Sequence, residues 1–143
     1  MPAYDAHTHL DFPSLAPDAV DRARAEGITG FCIAGADPDH WSRVVATAGA
    51  TGAHFALGIH PWFAARDADR ADALLDGLLS HGRPDALGEI GLDRGSAGFP
   101  DAQREVARRQ LVRAWEWGLP VVLHAVRAHG ALLELLDDPD DQV

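Results

Sequence analysis

The chain has 143 residues, the length of a single domain. A domain of this length buries about 68–70% of the surface that its unfolded chain exposes, which is enough for a hydrophobic core. The formal net charge of −10 disfavours binding of nucleic acid through its phosphates by a basic surface. It does not exclude a site where bound cations contact a phosphate. The chain has no lysine and its single cysteine is Cys32, which excludes Schiff-base chemistry, a P-loop, a carbamylated-lysine metal bridge, an internal disulfide and a cysteine-based zinc site.

Five short apolar runs predict five β-strands. The runs are continuous rather than alternating, as in strands of a parallel sheet that is buried on both faces. They cover residues 4–7, 28–34, 55–59, 86–90 and 120–124. Helical spacing, an Asp37-Pro38 start signal and glycine stop signals predict helices over residues 17–26, 37–48, 69–81, 101–117 and 131–136.

The alternation of strand and helix predicts an α/β fold built from right-handed βαβ units. Two architectures fit this order: a doubly wound open sheet, or a (β/α)8 TIM-type barrel, which typically needs about 250 residues. On the barrel interpretation, residues 1–143 form a single domain that holds about the first five βα units of eight and is incomplete at its C-terminus. Such a piece would leave barrel-facing side chains and two sheet edges uncovered, so we expect self-association.

The first predicted strand ends in a pair of histidines. His7 and His9 are two residues apart, and residues i and i+2 of a strand point the same way. At the carboxyl end of a strand, where barrel active sites lie, two such imidazoles can bind one metal ion. The pair by itself is equally compatible with two histidines at a surface strand end.

A glutamate lies inside the fourth apolar run, in the segment GEIGLD at residues 88–93. Burying the Glu89 carboxylate is costly unless a cation or hydrogen bonds meet it, and an ion pair with an arginine would also satisfy it. The flanking glycines favour a metal ligand, since they let backbones crowd a site. Because the chain has no lysine, any ligand that bridges two ions has to be a carboxylate. Asp93, four residues on, can hold a ligand in place or cap a loop.

Two further histidines follow apolar runs. A histidine that stands alone at the end of an apolar strand is more often a core residue with its hydrogen bonds satisfied. His124, however, makes the third run to carry a metal-competent residue at its end, which favours a metal ligand. For His60 we expect a contact with substrate, a hydrogen bond to a ligand, or a role in shaping the loop before Pro61. No residue is assigned as a catalytic acid or base.

The remaining histidines and tryptophans are expected to be structural. His54 precedes its strand and so belongs to the opposite end of a barrel. Helix-surface or helix-end positions are expected for His40, His81 and His129. Trp115 and Trp117 are expected to pack against the core.

Taken in order, these segments resemble the TatD family of metal-dependent deoxyribonucleases, within the amidohydrolase-like barrels. The matching pieces are DAHTHLD at 5–11, GIHP at 58–61, GEIGLD at 88–93, then Gln103, Gln110-Leu111, Ala114, Leu119-Pro120-Val121 and His124. The ordered set is far more specific than any single motif and covers the chain up to about Leu136.

The resemblance implies a hydrolase that cleaves phosphodiester bonds with a metal-activated water. It implies one or two divalent ions, Mg, Mn or Zn, at the top of a TIM-type barrel. His7 and His9 would hold one ion, His124 would hold the second, and Glu89 would bridge the two ions. The family also draws a histidine from its sixth strand and an aspartate from its eighth, which the five predicted strands do not include.

Other functions also fit the sequence. One is a non-catalytic, truncated remnant that binds a metal weakly; another is a different metal-dependent phosphoesterase or amidohydrolase, such as a histidinol-phosphatase-like barrel, which the GEIGLD segment disfavours. The expected partner is DNA or another phosphoester, and the acidic charge favours a small or single-stranded substrate. We expect no membrane contact and a cytoplasmic location, because no apolar run is long enough to span a bilayer and no basic signal-peptide segment begins the chain.

Overall fold

The structure is a computed structural model that describes residues 1–15, 18–95 and 100–137. Within these ranges the chain forms five β-strands and six α-helices. The strands are β1 (Ala3–Thr8), β2 (Ile28–Gly35), β3 (His54–Leu57), β4 (Ala86–Asp93) and β5 (Val121–Val126). The helices are α1 (Ala19–Ala25), α2 (Trp41–Thr51), α3 (Pro61–Asp67), α4 (Ala71–Leu78), α5 (Pro100–Trp117) and α6 (His129–Leu136). The predicted start of the first helix, Pro17, lies outside the described residues.

The strands form one parallel sheet in the order β1-β2-β3-β4-β5. A doubly wound sheet needs a reversal of strand order, so this sequential order excludes that architecture. Parallel strands in chain order, joined by helices, form a half-barrel that is consistent with part of a TIM-type barrel. The α/β class is therefore confirmed.

Burial falls from the centre of the sheet towards its edges. Every residue of β4 is buried, as the continuous apolar run there predicts. β1 and β5 are the edge strands of the described sheet, and their residues are half-buried or exposed. Tyr4 on β1 and Leu123 and Val126 on β5 are exposed apolar side chains. The edges expected of a partial barrel are therefore present.

The main core lies between the sheet and the helices packed on it. Ile33, Leu57 and Leu87 come from three neighbouring strands and share one buried cluster with Trp41 of α2. The indole N–H of Trp41 donates to the carbonyl of Gly58 at 3.2 Å, which fixes the start of α2 against the end of β3. In the ranges that the structure describes, no helix is both long enough and apolar enough to cross a bilayer.

Helix α3 was not among the elements predicted from the sequence. It begins at Pro61, which has no N–H to leave unpaired at a first helical position, and His60 caps it by accepting the backbone N–H of Trp62 at 3.1 Å. Strand β3 accordingly ends at Leu57 rather than at the predicted Ile59. His60 is therefore the N-cap of a helix and lies beyond the end of β3.

Candidate metal centre

The six polar side chains singled out in the sequence meet near the carboxyl ends of the strands. They come from β1 and the residue just after it (His7, His9), the cap of α3 (His60), β4 (Glu89, Asp93) and β5 (His124). Glu89 lies at the centre of the group and is only 6% exposed. Among the described residues, its ion-pair partners are four imidazoles and no arginine. The alternative of a buried arginine–glutamate pair therefore does not apply.

One side of the Glu89 carboxylate faces the histidine pair of β1. The Nε2 atoms of His7 and His9 are 3.4 Å apart, and they lie 3.5 and 3.7 Å from Oε2 of Glu89. Ligand atoms at about 2.0–2.2 Å from a tetrahedral ion lie about 3.3–3.6 Å from one another. The three distances match this spacing to within about 0.1 Å, so these atoms can hold a single cation.

The other oxygen of Glu89 faces His124. Nδ1 of His124 lies 2.7 Å from Oε1 of Glu89, and Nε2 of His60 lies 3.0 Å from the same Nδ1 and 3.8 Å from Oε1. The three atoms form a second cluster, in which Glu89 and His124 can share a cation. At 2.7 Å, the Glu89 and His124 atoms are closer together than two ligands of one tetrahedral ion, so this second cluster would have to open before an ion could enter.

The hydrogen bonds of the ring nitrogens show which histidines have a lone pair available for a metal. Nδ1 of His9 lies 2.8 Å from the carbonyl of Ala34 and has to donate to it, which leaves the Nε2 lone pair free for a metal. Nδ1 of His60 accepts the N–H of Trp62, so neutral His60 carries its proton on Nε2. While that cap holds, His60 can donate towards His124 and Glu89 but cannot bind a metal through Nε2.

Burial supports the neutral state of His60. Loss of hydration, together with the neighbouring His124, lowers the pKa of His60 to about 4. At neutral pH the ring is therefore an uncharged N–H donor. Among the roles left open for it by the sequence, this geometry favours a hydrogen bond to a ligand and the shaping of the loop before Pro61.

Asp93, the last residue of β4, supports His124 from the far side. Its Oδ2 lies 3.2 Å from Nε2 of His124 and accepts the indole N–H of Trp62 at 2.6 Å, while Oδ1 accepts the Gly95 N–H at 2.6 Å. Although burial opposes it, the hydrogen bonds from Trp62, Gly95 and His124 hold the pKa of Asp93 below its usual range. Asp93 thus both orients a histidine and caps a loop, the two roles that its position suggested.

Two buried glutamines of α5 fix the backbone around this centre, a role that the sequence analysis did not assign. Gln110 is fully buried, accepts the N–H of Ile59 at 2.7 Å and donates to the Ile59 carbonyl at 3.1 Å. Gln103 makes the equivalent pair with the backbone of Asp93, at 2.9 and 3.1 Å. The detectable signal was two amides seven residues apart, hence on the same face of the helix as the core residue Val106.

Gly91 lets β4 and β5 approach closely at the level of His124. It has φ +144°, and a Cβ on it would collide with the backbone carbonyl of His124. Only glycine fits this position without moving one of the two strands. The expectation that the GEIGLD glycines allow backbones to crowd the site is therefore confirmed at this residue.

The centre opens into a cavity of about 240 Å³. Its walls include His9, Glu89 and His124, and two aromatic residues that the sequence analysis did not single out, Phe12 and Trp62. Both aromatic side chains are largely exposed, at 46% and 63%.

Outside the centre, most expectations hold. His54 begins β3 and pairs with Asp85 at 2.9 Å, at the opposite end of the sheet. Trp117 packs against the core, as expected. The expectation for Trp115 is wrong, because it lies on the outer face of α5 with 70% of its surface exposed.

Parallel strands that carry histidines and a buried carboxylate at their carboxyl ends are the architecture of metal-dependent barrel hydrolases. The chain belongs to the TatD related DNase family, whose family model matches residues 4–143. The resemblance found in the sequence motifs is therefore confirmed.

Individual relatives are about a third identical to the chain over the aligned residues. It is 32% identical over 136 residues to the "uncharacterized metal-dependent hydrolase YjjV" of Escherichia coli (strain K12), covering 90% of this chain and 52% of that protein. It is 33% identical over 132 residues to the "3′-5′ ssDNA/RNA exonuclease TatD" of Musicola paradisiaca (strain Ech703), covering 90% and 50%. It is 30% identical over 126 residues to the "uncharacterized metal-dependent hydrolase YabD" of Bacillus subtilis (strain 168), covering 85% and 49%. The chain spans about half the length of the curated relatives it matches.

Proposed function

We propose that the protein is a divalent-metal-dependent nuclease that hydrolyses phosphodiester bonds. The observation that carries the proposal is the division of the Glu89 carboxylate, whose Oε2 faces His7 and His9 and whose Oε1 faces His124. A carboxylate placed in this way can bridge two cations. When bound, such ions polarise a phosphoryl oxygen and lower the pKa of a water molecule.

The residues of the chain supply positioning for this chemistry. The Ala34 carbonyl sets the tautomer of His9, and Asp93 plays the corresponding part for His124. We propose His7, His9, Glu89 and His124 as the metal ligands, with His60 and Asp93 as the groups that orient them. His60, whose Nε2 lies 3.0 Å from Nδ1 of His124 and 3.8 Å from Oε1 of Glu89, would position His124 without competing for a metal.

We propose that the substrate is a single-stranded nucleic acid end. The relative from Musicola paradisiaca is named as a 3′-5′ exonuclease of single-stranded DNA and RNA. The net charge of −10 supports a substrate met mainly at the cations, because the broad basic surface that duplex binding normally uses is not favoured by this composition. Mg, Mn and Zn all suit a mixed imidazole and carboxylate site, and reconstitution with each ion in turn would show which one supports hydrolysis.

The experiment is hydrolysis by the full chain after chelation. Added Mn²⁺ should restore cleavage of a single-stranded oligonucleotide. Glu89→Gln should lower that activity at least about 100-fold, since replacing even a residue that hydrogen-bonds to a metal ligand typically lowers activity about 10–100-fold. Glu105→Gln, on the exposed side of α5, is the matched control. Hydrolysis that persists with chelator would contradict the proposal. Metal binding without hydrolysis of DNA, RNA or small phosphoesters would instead support the alternative that the chain is a non-catalytic remnant that binds a metal.

We propose further that the described strands are the first five of an eight-unit barrel. The two edge strands with exposed Leu123, Val126 and Tyr4 support self-association of the 143-residue chain, which sedimentation at increasing concentration would reveal as a monomer–dimer equilibrium. A monomer at all concentrations would exclude it. The cytoplasmic location stays a prediction, which fractionation of cells would test.

A further inference from the structure

A second cavity of about 210 Å³ lies beside the candidate metal centre. Phe12, Ala36 and Trp62 line both cavities, so the two are adjacent and share a wall. The rest of its wall includes Asp11 and Arg43, from the segment after β1 and from α2. Its volume is below the roughly 300–1,000 Å³ of pockets for drug-sized ligands, so it suits one part of a larger ligand whose other part occupies the metal centre.

The shared rim consists of aromatic rings that are exposed yet held in place. The Phe12 ring stacks on His9, with centroids 5.0 Å apart and planes at 19°. The Trp62 ring meets His60 edge-on at 4.9 Å, and its indole N–H is bound to Asp93. Such rings lose little freedom when a planar group stacks on them. Their exposed surface therefore offers a preformed platform next to the proposed metals.

The polar wall of this cavity has unused hydrogen-bonding capacity. The Asp11 side chain is 3% exposed, and its only pairing among the described residues is a long 3.4 Å contact between Oδ2 and Nη2 of Arg43. Oδ1 of Asp11 and Nε of Arg43 are buried without a hydrogen-bond partner in the described part of the chain. Buried polar atoms are normally paired. A ligand edge that carries a donor beside an acceptor, as the edge of a nucleobase does, would complement this pair once Arg43 shifts.

We propose that this second cavity binds one nucleobase of a single-stranded substrate, stacked on Phe12 and Trp62, while the adjacent phosphate lies at the metal centre. The inference rests on the proposed nuclease function and assigns it a base-binding subsite. Because stacking is available to every base, the pocket gives affinity for single strands more than strict sequence selection. A base inside a duplex could not enter it without unstacking.

The experiment compares the binding of two phosphorothioate-linked single-stranded oligonucleotides, which resist hydrolysis and differ only at the 3′-terminal residue. One ends in deoxycytidine and the other in an abasic residue, and fluorescence anisotropy with the full chain gives both dissociation constants. We expect the abasic oligonucleotide to bind about tenfold more weakly. Phe12→Leu and Trp62→Ala should remove most of this difference, whereas Trp62→Phe, which keeps an aromatic face, should retain it. Trp115→Leu, on the outer face of α5, is the control and should behave as wild type.

The outcomes separate this inference from the nuclease proposal. Equal affinities for the two oligonucleotides, in a chain that cleaves DNA with Mn²⁺, would refute the base pocket and leave the nuclease intact. A base-dependent affinity that Phe12→Leu abolishes, in a chain without metal-dependent cleavage, would support the pocket and refute the nuclease. A base dependence that survives both Phe12→Leu and Trp62→Ala would place the base elsewhere and overturn the assignment.

Discussion

Replacing Gln110 by leucine should both destabilise the fold and disturb the metal centre. The side chain is fully buried, and its amide pairs with the N–H and the carbonyl of Ile59, the residue before His60. Leucine would leave both backbone groups unpaired at a cost of about 1–3 kcal/mol each. Its extra apolar surface would return about 1 kcal/mol. We therefore expect a net loss of about 1–5 kcal/mol from the free energy of unfolding.

Urea unfolding of the chelator-treated chain measures that loss, and calorimetry with Mn²⁺ measures the effect on the metal site. Gln110→Glu is the informative companion, because it keeps an acceptor for the Ile59 N–H but buries a carboxyl group against the Ile59 carbonyl. Both variants should be less stable than wild type at neutral pH, and Gln110→Glu should recover stability relative to wild type as the pH falls, because a protonated carboxyl can donate to that carbonyl. A Gln110→Leu protein within about 0.5 kcal/mol of wild type, with unchanged Mn²⁺ affinity, would refute the idea that this amide holds the loop.

Two further predictions concern backbone crowding and pH. Gly91→Ala should lower the free energy of unfolding by about 1–3 kcal/mol and weaken Mn²⁺ binding, because its Cβ would meet the His124 carbonyl. The control is Gly49→Ala, in α2 with open space around it. Equal effects of the two substitutions would contradict the crowding at Gly91. Against the effect of burial, hydrogen bonds from Arg66 and the Asp39 amide hold the pKa of Asp37 below its usual 3.8. The stability that Asp37 contributes is therefore complete above that pH and is lost as the pH falls further. The difference in unfolding free energy between wild type and Asp37→Asn, about 1 kcal/mol near neutral pH, should therefore shrink in acid. A difference that stays constant with pH would exclude this linkage.

Much of the centre could be predicted because barrel topology converts strand order into position. Once His7, Glu89 and His124 are assigned to the ends of parallel strands, the fold itself brings them together, whatever their separation in sequence. Burial of every residue of β4 likewise follows from a continuous apolar run. The sequence pattern was sufficient wherever one residue's role depended only on its own strand.

What could not be predicted depends on partners that are distant in the chain. Helix α3 is only seven residues long, too short for its periodicity to be recognised, although His60-Pro61 is a fair start signal. The tautomer of His60 depends on the backbone of that unpredicted helix, so the position of its proton could not be derived from the sequence. Gln110 looked like a polar residue in an amphipathic helix, and only the position of Ile59 shows what it binds. The exposure of Trp115 shows the reverse case, in which an aromatic residue suggests a core contact that does not exist.

The most direct test of the bridging role of Glu89 is an anomalous difference map from a crystal of the full chain grown with Mn²⁺. We predict two peaks about 3.5–4 Å apart, as in two-metal hydrolytic sites, one next to Nε2 of His7 and His9 and the other next to Nδ1 of His124, with Glu89 between them. Peaks that lack contact with Glu89, or a His124 ring turned away from the carboxylate in the metal-bound crystal, would contradict the proposed centre.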